Sequence, residues 1–122
     1  MNNNLEKENK YTSVYRSIDY YFGDHTEEIK SKIDLLLGSS FLPKYNKTGV
    51  TYFGEKGRIL KIVKRRKYLE VEFNVPVTAV IGLLVLTEQE RREKKMGTCQ
   101  WIYKGDNLST VLKLVEEAVG KY

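Results

Sequence analysis

Alternating apolar and polar residues in the middle of the chain limit its fold more than any other feature. This period of two predicts three consecutive β-strands, at Gly49–Phe53, Arg58–Val63 and Tyr68–Phe73. The turn Gly54–Gly57 joins the first two strands, and a tip of four basic residues, Lys64–Lys67, joins the last two. Because connections this short join strands that run antiparallel, the sequence predicts a sheet built from hairpins.

The basic tip also predicts how its two strands pair. If Lys64–Lys67 form the tip, Ile62 lies opposite Leu69 on the buried side, and Lys61 lies opposite Glu70 on the other side. An opposed pair of unlike charges contributes about 0.2–1 kcal/mol to a sheet and favours one register over its neighbours. We therefore expect Lys61 and Glu70 to help fix the register.

Helical patterns flank this central region on both sides. In the last helix, Leu108, Val111 and Val115 lie on one stripe. Asp106 or Asn107 is expected to cap that helix, and Gly120 to end it. The predicted helices are Ser13–Phe22, a second from Asp24 to Gly38, a short charged one opened by the capping box Thr87–Glu90 and ended by Gly97, and Asn107–Val119.

Two more strands complete the prediction, at Leu83–Leu86 and Thr98–Lys104. The fold class is therefore α+β: a curved antiparallel sheet of about four to five strands, with the N-terminal helices and the C-terminal helix packed on one face. Residues 1–11 are polar and are expected to form a disordered tail. The remaining residues, 12–122, are long enough for a single domain with one core.

Charge and composition limit the location and the partners of the protein. The chain has 21 basic and 16 acidic residues, a net charge of +5, which favours anionic partners. Cys99 is the only cysteine, so no disulfide can form within the chain. The polar N-terminus is not a signal peptide, and the longest apolar run, Val75–Leu86, is too short to span a bilayer. We expect a cytoplasmic protein without a membrane partner.

No catalytic constellation is recognisable in the sequence, and we expect a non-enzymatic protein without a cofactor or a metal. His25 is the only histidine, so any relay with Cys99 would have to use it. One histidine and one cysteine cannot build a structural zinc site. Glu70 and Glu72 project from the same side of one strand, which leaves a metal-dependent hydrolase as an alternative.

The basic tip is the sharpest candidate for a binding site. Lys64, Arg65, Arg66 and Lys67 could clamp a phosphate backbone, since lysine and arginine supply most phosphate contacts. The candidate nucleic-acid-binding residues, all hypothetical, are Lys61, Lys64, Arg65, Arg66, Lys67 and Tyr68, the last as a stacking surface for an unpaired base. The alternative interpretation is a solvated turn that discourages aggregation between sheet edges.

Other partners stay open at this point. An acidic protein could contact the same cations, and an uncovered sheet face or the run Val75–Leu86 could support homodimerisation or another protein interaction. The nucleic-acid hypothesis makes a direct prediction: replacing Arg65 and Arg66 with glutamate abolishes binding without unfolding the protein.

The order of elements resembles that of a known group of domains. Two N-terminal helices precede Asn46–Phe53, and the hairpin Arg58–Phe73, a strand through Trp101 and the segment Asp106–Leu112 follow. Over roughly Tyr15–Tyr122 the chain resembles the YdhG-like small α+β domains of unknown function and, more distantly, the MmcQ/YjbR-like domains. The resemblance implies a curved antiparallel sheet with helices on one face, and a DNA-binding role discussed for the latter group. It carries over no catalytic residues, and the charged helix from Glu88 has no counterpart in it.

Overall fold

A computed structural model of the chain describes residues 21–22, 26–78, 81–94 and 97–122. The tail at residues 1–11, most of the first predicted helix, the cap Asp24 and the histidine His25 lie outside these ranges. Tyr21 and Phe22, the end of that first helix, are helical and fully buried. The architecture is α+β with an open antiparallel sheet, which confirms the predicted class.

The helical part begins with a π-helical turn at Thr26–Lys30, which leads directly into α1 and then into a 3-10 turn at Gly38–Ser40. Two further helices lie between and after the last strands. The elements are α1 (Ser31–Leu37), β1 (Leu42–Tyr45), β2 (Gly49–Gly54), β3 (Gly57–Lys64), β4 (Leu69–Phe73), β5 (Leu84–Val85), α2 (Glu88–Lys94), β6 (Cys99–Tyr103) and α3 (Leu108–Lys121).

The sheet has six strands in the order β1-β2-β3-β4-β6-β5, one more than the upper expected number. The additional strand is β1, which contains Pro43 and is not among the five strands predicted from the sequence. Proline has no N–H to donate, so it fits a strand that is paired on one side only. Here β1 is an edge strand paired with β2, from Leu42 opposite Phe53 to Tyr45 opposite Val50.

The register of the β3–β4 hairpin differs from the prediction by two residues. Lys61 lies opposite Glu72 rather than Glu70, and Ile62 lies opposite Val71. The hairpin closes with Lys64 opposite Leu69, so its four-residue loop is residues 65–68, one residue later than the predicted tip. This register places the Arg65 guanidinium within 3.1 Å of the buried Glu70 carboxylate, a contact that the prediction did not include. Because the shift is two residues, every side chain keeps its predicted face.

One face of the sheet packs against the helices and forms the core. Helix α1 lies against α3, and both contribute buried apolar residues to the same cluster as the strands. Each fully buried aliphatic or aromatic side chain contributes about 1.5–3 kcal/mol relative to an exposed one. The central members are Leu60, Ile62, Val71, Phe73 and Trp101 of the sheet, Ile33 and Leu37 of α1, and Val111, Leu114, Val115 and Ala118 of α3.

The second face of the sheet carries polar side chains that are nevertheless largely buried. One row across four neighbouring strands consists of the buried Thr51, Glu72 and Gln100 and the half-buried Lys61. Glu72 is only 2% exposed and Glu70 only 7% exposed. Neither carboxylate is therefore presented to solvent, although the sequence placed both on an outward face.

The ends of the helices show which local predictions hold. At α2 the capping box forms: the Glu90 amide donates to Thr87 Oγ1 at 3.1 Å, and the Thr87 amide donates to Glu90 Oε1 at 2.9 Å. At α3, Asn107 precedes the helix with a left-handed backbone (φ 53°) and makes no side-chain capping bond. The helix also continues through Gly120, where the prediction ended it, and a 2.9 Å ion pair from Lys121 to Glu117 supports that last turn.

Among the helices that the structure describes, none has the length and hydrophobicity needed to cross a lipid bilayer.

Candidate functional site

Three connections meet at one end of the sheet. They are the β1–β2 turn, the β3–β4 tip and the chain that follows β6. Strands β1 and β2 are antiparallel, as are β3 and β4, and β6 runs antiparallel to β4, so these segments share one end of the sheet. We call this region the basic end; its cations are Lys47, Lys64, Arg65, Arg66, Lys67 and Lys104, all exposed.

The β3–β4 tip is a defined turn rather than an open loop. Its strands pair up to Lys64 and Leu69, and the Arg65 amide donates a 2.8 Å hydrogen bond to the Tyr68 carbonyl. Leu69 is buried and anchors the return strand. The strands below therefore hold the four basic residues in place, which lowers the entropy that ordering them on a ligand would cost.

Arg65 differs from its neighbours because it is already paired. Its Nε lies 3.1 Å from Glu70 Oε2, and its Nη2 lies 3.2 Å from Glu70 Oε1. This two-point contact folds the side chain over the second face of the sheet and raises the pKa of the Arg65 guanidinium. Arg65 thus neutralises a buried carboxylate. Its charge is not available to a ligand in the way the sequence suggested.

The remaining three cations of the tip are available. Within the described part of the chain, no carboxylate lies within ion-pair distance of Lys64, Arg66 or Lys67. Glu28, an acidic residue near this end, accepts a hydrogen bond from the Tyr103 hydroxyl at 3.4 Å. The basic end therefore carries a surplus of positive charge.

Two predicted site residues do not join this group. Lys61 lies three residues along β3 from the tip, half-buried in the polar row of the second face and opposite Glu72. Tyr68 is half-buried, so its ring is only partly available for stacking. Its backbone carbonyl accepts the hydrogen bond that closes the tip.

The structure brings in two cations that sequence reasoning missed. Lys47 lies in the turn before Gly49, and Gly49 pairs with Val63 next to the tip. Lys104 follows Tyr103, which pairs with Leu69. Alternate connections of an antiparallel sheet share one end, so a correct strand order would have placed both lysines beside the tip. The sequence did not reveal that order, because it did not predict β1 or the position of β6 beside β4.

The carboxylate pair of the hydrolase alternative is not arranged as an open metal site. Glu70 is bound to Arg65, and both Glu70 and Glu72 are buried. Across the described residues, no group of three histidine, cysteine, aspartate or glutamate side chains is placed to hold a metal ion. Cys99 is also buried, and His25, its hypothetical catalytic partner, is outside the described ranges.

Comparisons with protein-family models, with curated proteins and with solved structures find no match for this chain.

Proposed function

We propose that this protein is a non-enzymatic binding module that contacts the phosphates of nucleic acid with its basic end. The observation that carries the proposal is the set of exposed cations Lys64, Arg66 and Lys67, which lack carboxylate partners in the described structure. Lys47 and Lys104 flank them on the neighbouring connections. A cytoplasmic location and kinship with the YdhG-like or MmcQ/YjbR-like domains belong to the same proposal.

The physical argument is electrostatic. Cations that bind phosphates release condensed counterions from the nucleic acid, and this release dominates affinity that does not depend on sequence. A cation already paired with a carboxylate gives little of this gain, since its field is neutralised. Three cations that share one hairpin end, and that have no carboxylate partner within the described ranges, therefore suit a phosphate backbone better than scattered surface lysines.

The Arg65–Glu70 ion pair makes the double glutamate variant of Arg65 and Arg66 unsuitable as a test of binding. Replacing Arg65 with glutamate would place a second carboxylate beside the buried Glu70, so the variant would lose stability as well as charge. We therefore choose Lys64→Gln, Arg66→Gln and Lys67→Gln together. The matched control is Lys32→Gln, Arg91→Gln and Arg92→Gln, which removes the same charge from exposed positions on α1 and α2.

The measurement is fluorescence anisotropy of labelled single-stranded DNA, duplex DNA and RNA at several salt concentrations. We expect log affinity to fall linearly with log salt, at about 0.7 per phosphate contact on single strands. The tip variant should lower that slope by up to about 2, and the control should leave it unchanged. Absence of binding at low salt, or equal losses in both variants, would refute the proposal.

Homodimerisation through the edge strand β5 is a second candidate function. The favouring observation is that Leu84 and Val85, the whole of this strand, are exposed, Val85 to 72%. An exposed apolar edge strand can pair with a second copy of itself. Analytical ultracentrifugation would then show a dimer that Val85→Lys dissociates, and a monomer at every concentration would exclude this candidate.

A further inference from the structure

A groove runs along α3, between that helix and the irregular segment that precedes β5. Its volume is about 570 Å³, within the range of sites that hold small organic groups. Ile81, Trp101 and Leu114 supply its apolar wall. Asn107, Thr110 and Lys113 supply hydrogen-bonding groups along one side.

The outer wall of the groove is held in place by α3. The backbone amide and the hydroxyl of Thr78 both donate to Glu117 Oε2, at 2.5 and 2.7 Å. These bonds and the ion pair from Lys121 lower the pKa of Glu117. On the other side of Ile81, Gly82 lies so close to Trp101 that a Cβ there would come within 3.2 Å of the indole ring. The wall is therefore attached on both sides of Ile81.

Ile81 is the least expected residue of this wall. Its side chain is 99% exposed, although the segment on which it lies is tied to the helix. Covering a large apolar side chain that is held in solvent at the mouth of a groove removes its apolar area from water, which favours binding. Trp101, by contrast, is 6% exposed and contributes only an edge to the floor.

The groove opens next to the basic end. Asn107, at its near end, is three residues after Lys104, so the chain between them spans at most about 11 Å. Lys104 in turn follows Tyr103, which pairs with Leu69 at the base of the tip. A strand whose phosphates lie on Lys67 and Lys104 could therefore place a neighbouring base in the groove.

The chemistry of the lining suits a nucleobase. Such a base has two apolar faces and an edge of hydrogen-bond donors and acceptors, and proteins read unpaired bases by packing on the faces and bonding the edge. Ile81 provides packing, against the edges of Trp101 and Leu114 that reach the floor. The Asn107 amide, which makes no capping bond, and the Thr110 hydroxyl can bond the edge.

We propose that this groove binds an unpaired base of a single-stranded nucleic acid whose phosphates lie on the basic end. The inference rests on the proposed function and narrows it, since bases inside a duplex are stacked and cannot enter. A charged small molecule without a flat apolar face would use the cations but not Ile81.

The test compares two single-stranded oligonucleotides with equal numbers of phosphates, an oligothymidylate and a fully abasic strand. We expect the abasic strand to bind about tenfold more weakly at the same salt concentration, because it loses base packing. Trp101 is the only tryptophan, so its fluorescence reports on the groove. Oligonucleotides that carry 5-bromouracil, a heavy-atom quencher, should reduce it.

Ile81→Ser should weaken binding of oligothymidylate toward that of the abasic strand and leave abasic binding unchanged. Leu35→Ser, which alters another highly exposed apolar residue, on α1 and outside this groove, is the control and should change neither. Equal affinity for the two strands, with no quenching, would overturn this inference and leave the phosphate function standing. No binding of either strand at low salt would overturn the function itself and this inference with it.

Discussion

Arg65 and Glu70 are joined by two nearly equal contacts, 3.1 Å from Nε to Oε2 and 3.2 Å from Nη2 to Oε1. The arginine is the first residue of the loop between β3 and β4, and the glutamate is the second residue of the returning strand. The pair therefore spans the base of the loop and draws one of the four basic side chains away from the ligand surface. It gives adjacent arginines different roles, since Arg66 has no carboxylate partner among the described residues.

The first prediction concerns this pair. Arg65→Ala should destabilise the protein by about 1–3 kcal/mol, because it leaves the carboxylate of Glu70 buried without its charged partner. Arg66→Ala, on the exposed side of the tip, should change stability by less than about 0.5 kcal/mol. Urea unfolding of both variants measures the difference. Equal free energies of unfolding for the two variants would mean that the contact between Arg65 and Glu70 does not stabilise the fold.

The second prediction concerns the pH dependence of stability. The Tyr52 hydroxyl donates a 2.8 Å hydrogen bond to Asp34 Oδ1, and burial, followed by the nearby carboxylate, raises the pKa of Tyr52 well above that of a free tyrosine. A raised pKa in the folded state stabilises the protein below the unfolded pKa of about 10. That contribution is lost as the pH rises above this value.

Spectrophotometric titration and unfolding at alkaline pH test this directly. The wild-type protein should lose stability between about pH 10 and pH 12 more steeply than Tyr52→Phe, which has no hydroxyl to ionise. The variant should in turn be less stable at pH 7, because Asp34 loses a hydrogen bond. Parallel pH profiles for the two proteins would contradict the assignment.

The third prediction concerns the last residue. The Tyr122 hydroxyl donates a 2.6 Å hydrogen bond to the carbonyl of Gly57, and its ring meets Phe41 edge-on, with centroids 4.8 Å apart. Tyr122→Phe should cost about 0.5–1.5 kcal/mol for the lost bond. Tyr122→Ala should cost more, since it also removes the aromatic contact. Thermal denaturation should rank wild type, Tyr122→Phe and Tyr122→Ala in that order, and any other order would contradict this account.

The fourth prediction concerns helix α2. Thr87→Ala removes the hydroxyl that accepts the Glu90 amide, which should destabilise the helix by about 1 kcal/mol. The control Glu90→Gln keeps a side chain able to complete the capping box and should have a much smaller effect. Hydrogen exchange of the α2 amides is the measurement. Faster exchange throughout the molecule, rather than in α2, would show that the cap has a wider role than expected.

Several predictions that depend on a few consecutive residues were accurate. The three central strands begin and end within one residue of their predicted limits, and the capping box at Thr87 forms with both of its bonds. Other predictions failed. Strand β1 was missed because its pairing with β2 depends on residues further along the chain. The predicted ends of α3 were also wrong, since Asn107 makes no side-chain capping bond and the helix continues through Gly120.

The sequence by itself determined the class of fold, the faces of the central strands and the position of four cations at a hairpin tip. These follow from a period of two residues and a local charge pattern. Only the tertiary structure decided which cations are available. Ion pairing depends on distances across the fold: the register of the β3–β4 hairpin brings Arg65 to Glu70, and strand pairing brings Lys47 and Lys104 to the same end. The groove along α3 likewise depends on a tertiary contact, the hydrogen bond from Thr78 to Glu117, which lies thirty-nine residues further along the chain.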